Sequence, residues 1–263
     1  MSGFSAGSFV TLRTEGGLAI IAMARPPVNA LGSVLAGELA QAFRTVAGSP
    51  GINVVVLESG VRGFFMAGAD LSEFNAGKES ARRTAEEVAR AFEALASLKA
   101  VTIAAINGHA LGGGLELALC CDLRYVAAGK YALGLPEVTL GLLPGGGGTQ
   151  RLPGLVGHAK ALEWMIRGCR VSPEEAFRAG LVQGLFPAES FREEVRQVAE
   201  GMASGATVAI CAIKELVRST VSHPDATALE REREVFLSLF DTADAREGIR
   251  AFLAKESPRF SGK

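Results

Sequence analysis

The sequence predicts a layered α/β body followed by a helical tail. Three observations carry that reading. Short apolar or β-branched runs alternate with helical periodicity through the first half of the chain. After residue 148 the helical pattern takes over, and one strand-like run remains. The chain has 263 residues, 48% hydrophobic and 21% charged, an ordinary globular composition long enough to bury a large core. Strand–helix alternation of this kind favours layers over a sandwich or a bundle.

Residues 17–24 (GLAIIAMA) are a short apolar run ended by Arg25-Pro26-Pro27, a strand entering a stiff loop. Residues 33–47 carry Leu35, Leu39, Ala42, Phe43 and Val46 at helical spacing and stop at Gly48-Ser49-Pro50-Gly51. The β-branched run 52–57 reads as a buried strand. Residues 80–98 form a long amphipathic helix. Residues 101–106 (VTIAAI) are another buried strand, punctuated by Asn107-Gly108. A short helix at 113–121 and a strand at 122–127 follow. Further on, helices are expected over 157–168, 172–180, 190–204, 207–221, 226–240 and 243–254, with a strand at 182–186. Ser172-Pro173-Glu174-Glu175 has the form of a helix start: a cap, a proline at the first helical position, acids in the first turn. No internal repeat or flexible linker is visible.

Composition excludes several function classes. Lys and Arg total 27 against 28 Asp and Glu, a net charge of −1. A dedicated nucleic-acid binder needs a large positive excess. The 4 cysteines include no C-x-x-C pair, and Cys120, Cys121, Cys169 and Cys211 read as reduced thiols in a cytosol-like compartment. His109, His158 and His223 have no H-E-x-x-H spacing, so no metal is expected. No basic residue precedes Arg13, and no early apolar stretch suggests a secretory signal. No apolar run reaches the roughly 20 residues that span a bilayer.

Two glycine clusters, 112–114 and 145–148, fit neither G-x-G-x-x-G nor a G-K-[ST] phosphate loop. Gly3-Phe4-Ser5-Ala6-Gly7 matches a nucleophile elbow in letters, but that motif needs a preceding strand and none fits. The informative strings are Ala67-Gly68-Ala69-Asp70, the segment 107–116 (NGHALGGGLE), Leu135-Pro136-Glu137, and 143–151 (LPGGGGTQR). Glycines 112–114 lie between a strand and a helix. They either allow close packing or leave backbone N–H groups free to hold an anionic oxygen at the helix start. Glu116 sits in a helix that is apolar on every face. It is therefore either an acid in use or a first-turn residue open to water. Glu137 follows a proline that pins its loop, and taken alone it reads as a surface acid. Asp70 and Glu73 look like a helix-capping pair.

At these residues the chain resembles the crotonase family of enoyl-CoA hydratases and isomerases, over nearly its whole length. The strings GHALGGGLE and LPGGGGTQRL carry the likeness, with the loop 25–31 (RPPVNAL) and Phe252-x-x-Lys255 in support. The resemblance implies a crotonase-like spiral of repeated β-β-α turns over residues 1–200, holding the coenzyme A and acyl site. Residues 201–263 would form a helical region that assembles a homotrimer or a dimer of trimers. It implies reversible hydration of trans-2-enoyl-CoA to 3-hydroxyacyl-CoA, a lyase reaction of fatty-acid or related acyl-CoA metabolism. Glu116 and Glu137 would be catalytic, and the amides of Ala69 and Gly113 would form an oxyanion hole. The amide of Gly145 would place the attacking water. Arg25, Pro27, Val28, Ala67, Asp70, Leu71, Phe252 and Lys255 would line the coenzyme A groove. Coenzyme A belongs to the substrate, so no separate cofactor is expected, nor any nucleic-acid or membrane partner, and the location expected is the cytoplasm. A Δ3–Δ2 enoyl-CoA isomerase and a non-catalytic acyl-CoA binder are the rival readings. Two departures stand out: many hydratases carry a basic residue where this chain has Ser72, and the loop at 25–29 is one residue shorter than in many relatives.

Overall fold

The computed structural model describes residues 2–5, 7–204, 210–211, 213–214, 217, 230, 233–234, 237, 240–241 and 243–258. Its strands are β1 (Ser2–Ser5), β2 (Val10–Glu15), β3 (Leu18–Met23), β4 (Val54–Ser59), β5 (Gly63–Met66), β6 (Val101–Ile106), β7 (Gly108–Leu111), β8 (Leu123–Ala127), β9 (Leu133–Gly134), β10 (Arg170–Val171) and β11 (Gly184–Phe186). They build two sheets. The large one runs β1-β2-β3-β4-β6-β8-β11, antiparallel as far as β3 and parallel from there on. The small one runs β10-β9-β7-β5, with β9, β7 and β5 parallel.

Three consecutive strand pairs, β4–β5, β6–β7 and β8–β9, each give their first strand to the large sheet and their second to the small one. The first pair leads into helices α1's neighbours in space, α2 (Leu71–Asn75) and α3 (Lys78–Ala96), where α1 is Ser33–Ala47. The second leads into α4 (Gly113–Cys120). The third leads into a 3₁₀ turn, Glu137–Leu140, and then α5 (Gly148–Arg151), α6 (Pro153–Val156) and α7 (His158–Ile166). This is the expected spiral, and the chain that showed no repeat in its letters repeats in space. Helices α8 (Pro173–Arg178), α9 (Phe191–Ala203) and α10 (Ala243–Ala254) complete the described elements.

Strand β6 is buried at all six positions because the large sheet is covered on both faces. Leu57 and Ile106 face a core shared with Leu39, Phe43 and Leu95 of α1 and α3. Val54, Val56 and Ile103 face Phe191, Val195 and Ala199 of α9. The expected helices at 33–47 and 243–254 and the strand at 101–106 match their observed limits. The helices expected at 207–221 and 226–240 lie largely outside the described residues. The sequence reading passed over β1, β2, β5, β7, β9 and β10. Four of these form the small sheet and are only two to four residues long, too short to show alternation. Of the nucleophile-elbow letters, Gly3, Phe4 and Ser5 fall on edge strand β1, and the next element is another strand, not the helix that motif requires.

Among the described residues, no helix is long and apolar enough to cross a membrane. Burial pushes the Cys121 thiol far above its ordinary range, so it stays protonated and unreactive.

Candidate active site

The small sheet lines up the groups of interest. Strand β5 ends at a bulge between Phe64 and Met66, and the chain turns into 67–70. The loop 25–31 runs beside that turn. Val28 O accepts from Ala67 N–H, Gly68 O from Leu31 N–H, and Leu31 O from Asp70 N–H, at 2.8–3.0 Å. Asn29 is fully buried and anchors the loop by donating to Ser59 Oγ (2.9 Å) and Phe65 O (3.0 Å). The N–H of Ala69 has no acceptor in this pattern, and Ala69 lines the cleft.

Strand β7 is followed by Gly112, with φ +52, a value that an L side chain rarely adopts. A Cβ there would stand 3.1 Å from Glu137 Oε1. Gly113 opens α4, so its N–H belongs to the first turn, which has no intrahelical acceptor. Ala69 N lies 4.0 Å from the point where a Cβ on Gly113 would stand. Gly114 lets α4 press onto Met66, where a Cβ would collide with the Met66 backbone. Close packing is thus the role of Gly114, and Gly113 sits at the bare start of the helix.

Glu116 is one turn into α4, 4% exposed. Its Oε1 accepts two backbone N–H bonds, from Gly146 at 2.8 Å and from Gly148 at 2.9 Å. The acid is buried and bonded to backbone, not open to water. Glu137 begins the 3₁₀ turn just after β9. Both acids line one cleft of about 530 Å³, together with Ala69, Gly113, Gly145 and Gly146. Two acids on one cleft, carried by different elements, can divide acid and base duties.

Of the residues expected to hold coenzyme A, Val28, Ala67, Asp70, Leu71 and Phe252 line the cleft, whereas Arg25, Pro27 and Lys255 do not. Arg25 donates to Asp70 Oδ2 at 2.7 Å and to Ala30 O, which staples the two loops together. Asp70 caps α2 by accepting from Ser72 N–H (3.2 Å) and Ser72 Oγ (2.6 Å). Burial pushes the Asp70 carboxyl up, but the bonds from Ser72 and the Arg25 guanidinium outweigh it and hold the group below the usual carboxylate range. Glu73 does not close a capping box on Asp70. It reaches Ser33 N–H (2.9 Å), the first turn of α1, and accepts from Thr84 Oγ1 of α3 (2.7 Å).

Sequence reasoning passed over Gly146 and Gly148 as the donors to Glu116, although their glycine run was noticed. It also missed Arg170, the cation among the described residues that line the cleft. Nothing in the local sequence marks Arg170, because β10 reaches the site only through its pairing with Gly134.

A family described as Enoyl-CoA hydratase/isomerase matches residues 13–263. A probable enoyl-CoA hydratase of Bacillus subtilis is 37% identical over 257 residues, 97% of this chain and 99% of that protein. A 2,3-dehydroadipyl-CoA hydratase of Escherichia coli is 39% identical over 246 residues, 93% of this chain and 95% of that protein. The crystal structure of an enoyl-CoA hydratase from Mycobacterium avium subsp. paratuberculosis superposes with a TM-score of 0.87 at 27% identity, covering 97% of this chain and 99% of that one. A spiral that brings two acids to bare amides, and a match that runs from residue 13 to the last residue, place this chain in the enoyl-CoA hydratase/isomerase, or crotonase, family.

Proposed function

We propose that this protein adds water across the double bond of a trans-2-enoyl-CoA, reversibly, to give a 3-hydroxyacyl-CoA. The observation that carries the reading is the shared cleft: Glu116, Glu137 and the amides of Ala69 and Gly113 all border it. Hydration puts negative charge on the thioester oxygen as an enolate forms. Two preorganised N–H donors stabilise that charge, each worth roughly 3–4 kcal/mol in comparable sites. The carboxylate of Glu116 takes a proton from the water that attacks Cβ, and Glu137 delivers one to Cα. Gly145 borders the same space and serves to place the water.

The groove formed by Val28, Ala67, Asp70, Leu71 and Phe252 takes the pantetheine arm, with Arg25, Pro27 and Lys255 toward its outer end. The coenzyme arrives on the substrate, and the reaction as written consumes only water. Residues 1–200 form the catalytic spiral and residues 201–263 the assembling region, in a homotrimer or a dimer of trimers. The protein acts in the cytoplasm, where its four cysteines stay reduced.

The test is loss of enoyl absorbance from crotonyl-CoA. Glu116→Gln and Glu137→Gln are each expected to lower kcat by at least about 100-fold, the scale of general acid–base catalysis. Full activity in either variant removes that residue from the mechanism. A wild-type protein that moves a 3-enoyl double bond but adds no water would establish the isomerase instead.

A further inference from the structure

The amides that hold Glu116 belong to a run of four glycines, which has no side chains with which to fix its own shape. Glu116 Oε1 takes the N–H of Gly146 and the N–H of Gly148. These belong to the first and third of three successive peptide units. The two N–H groups converge on one oxygen only when the unit between them is held. That middle unit carries the carbonyl of Gly146, and Arg151 Nη1 donates to it at 3.0 Å. The backbone N–H of Arg151 bonds Gly147 O at 2.9 Å, so the short helix α5 folds the side chain back onto its own entry loop.

Ala89 and Phe92 of α3 stand behind the loop. Gly145 and Gly146 border the catalytic cleft on one side and a cavity of about 20 Å³ on the other, so the loop is a wall one peptide thick. Arg151, Glu93 and Arg233 line that cavity, and Glu93 is paired with Arg233 at 3.3 Å. No described acid forms an ion pair with Arg151. Its guanidinium is therefore spent on one neutral carbonyl.

We propose that Arg151 is a positioning residue for the hydration reaction: by gripping the Gly146 carbonyl from behind, it sets the two neighbouring amides that orient the Glu116 carboxylate. The proposal rests on the reading of Glu116 as the base. The charged groups near that carboxylate are Glu137, Asp70 and Arg170 on the cleft, and Arg151, Glu93 and Arg233 behind the loop.

The experiment compares Arg151→Met, which keeps the apolar stem and removes every donor, with Arg151→Lys, which keeps a cationic donor, in crotonyl-CoA hydration across pH. Arg151→Met is expected to lower kcat by about 10- to 100-fold with KM changed less than about threefold, the scale on which a small misplacement of a catalytic group acts. Its acid limb should move to higher pH, because weaker amide donors stabilise the ionised carboxylate less. Arg151→Lys should recover part of both. A merely structural arginine would lower the folded fraction and leave the limb and the kcat of folded enzyme unchanged, and that result overturns the proposal. Should Arg151→Met fail to fold, Arg151→Gln decides beside Arg151→Lys: wild-type kcat and limb in Arg151→Gln oppose the proposal, and a lower kcat in Arg151→Gln than in Arg151→Lys supports it. Glu116→Gln is run in parallel. If that variant keeps full activity, the reading of Glu116 fails and the proposal with it. If it is inactive while Arg151→Met is normal, only the proposal fails.

Discussion

Gly146 stands where a side chain has no room. A Cβ there would lie 2.7 Å from Glu116 Oε2 and 2.7 Å from the Phe92 ring. Gly146→Ala is therefore expected to reduce kcat by about 100-fold, through displacement of the carboxylate, while stability falls by about 1–3 kcal/mol. Steady-state rates and a denaturation curve on the same preparation check both, and an active Gly146→Ala would show that the loop yields freely. Asp70 gives a second test. Its folded-state carboxyl ionises below the ordinary value, so its contribution is present above the unfolded value near 4 and is lost as pH falls through the folded one. Asp70→Asn should be less stable than wild type by about 1 kcal/mol from pH 5 to 7. The gap should close below about pH 4. An equal gap at pH 3 would rule out the carboxylate as its source. At this scale the sequence was informative where a residue was out of place: an acid in an all-apolar helix called for a use. It was silent on Arg170, whose neighbours come from distant segments.

Helices and strands meet through side chains that serve an element other than their own. Glu73 lies in α2 yet caps α1 and binds α3. Glu73→Ala should remove about 1–2 kcal/mol, more than one exposed cap, since it strips partners from two helices at once. Urea midpoints measure this, and a loss below about 0.5 kcal/mol would mean that water replaces the carboxylate. Sequence spacing suggested a local box with Asp70 because Asp-x-x-Glu fits one. The Asp70 N–H already bonds Leu31 O, so the box had no donor to take. Long periodic elements were legible for the same reason that local caps were not: a buried face must repeat along an element, whereas a cap partner is chosen by the fold. The small sheet escaped notice because two to four residues cannot establish a period.

Across the whole molecule, the C-terminal region is tied to the spiral from both ends. Lys214 reaches Asp122 at 2.7 Å and Ala100 O, in a nearly buried pair that Thr102 also supports. Helix α10 packs Ala245 and Ile249 against Phe74, Ala81, Ala85 and Leu142, which brings Phe252 to the cleft, 53% exposed. Sedimentation equilibrium should give three or six times the chain mass of 27.4 kDa, and a concentration-independent monomer would oppose the assembly proposed above. The order of the small sheet has one more result. Arg170, Glu137, Gly113 and Ala69 each hang from the tip of a different strand, side by side along one edge. Mutation can then rework any one of these positions while the next winding keeps its neighbours in register, so new chemistry is open to such a scaffold by changing a single rung.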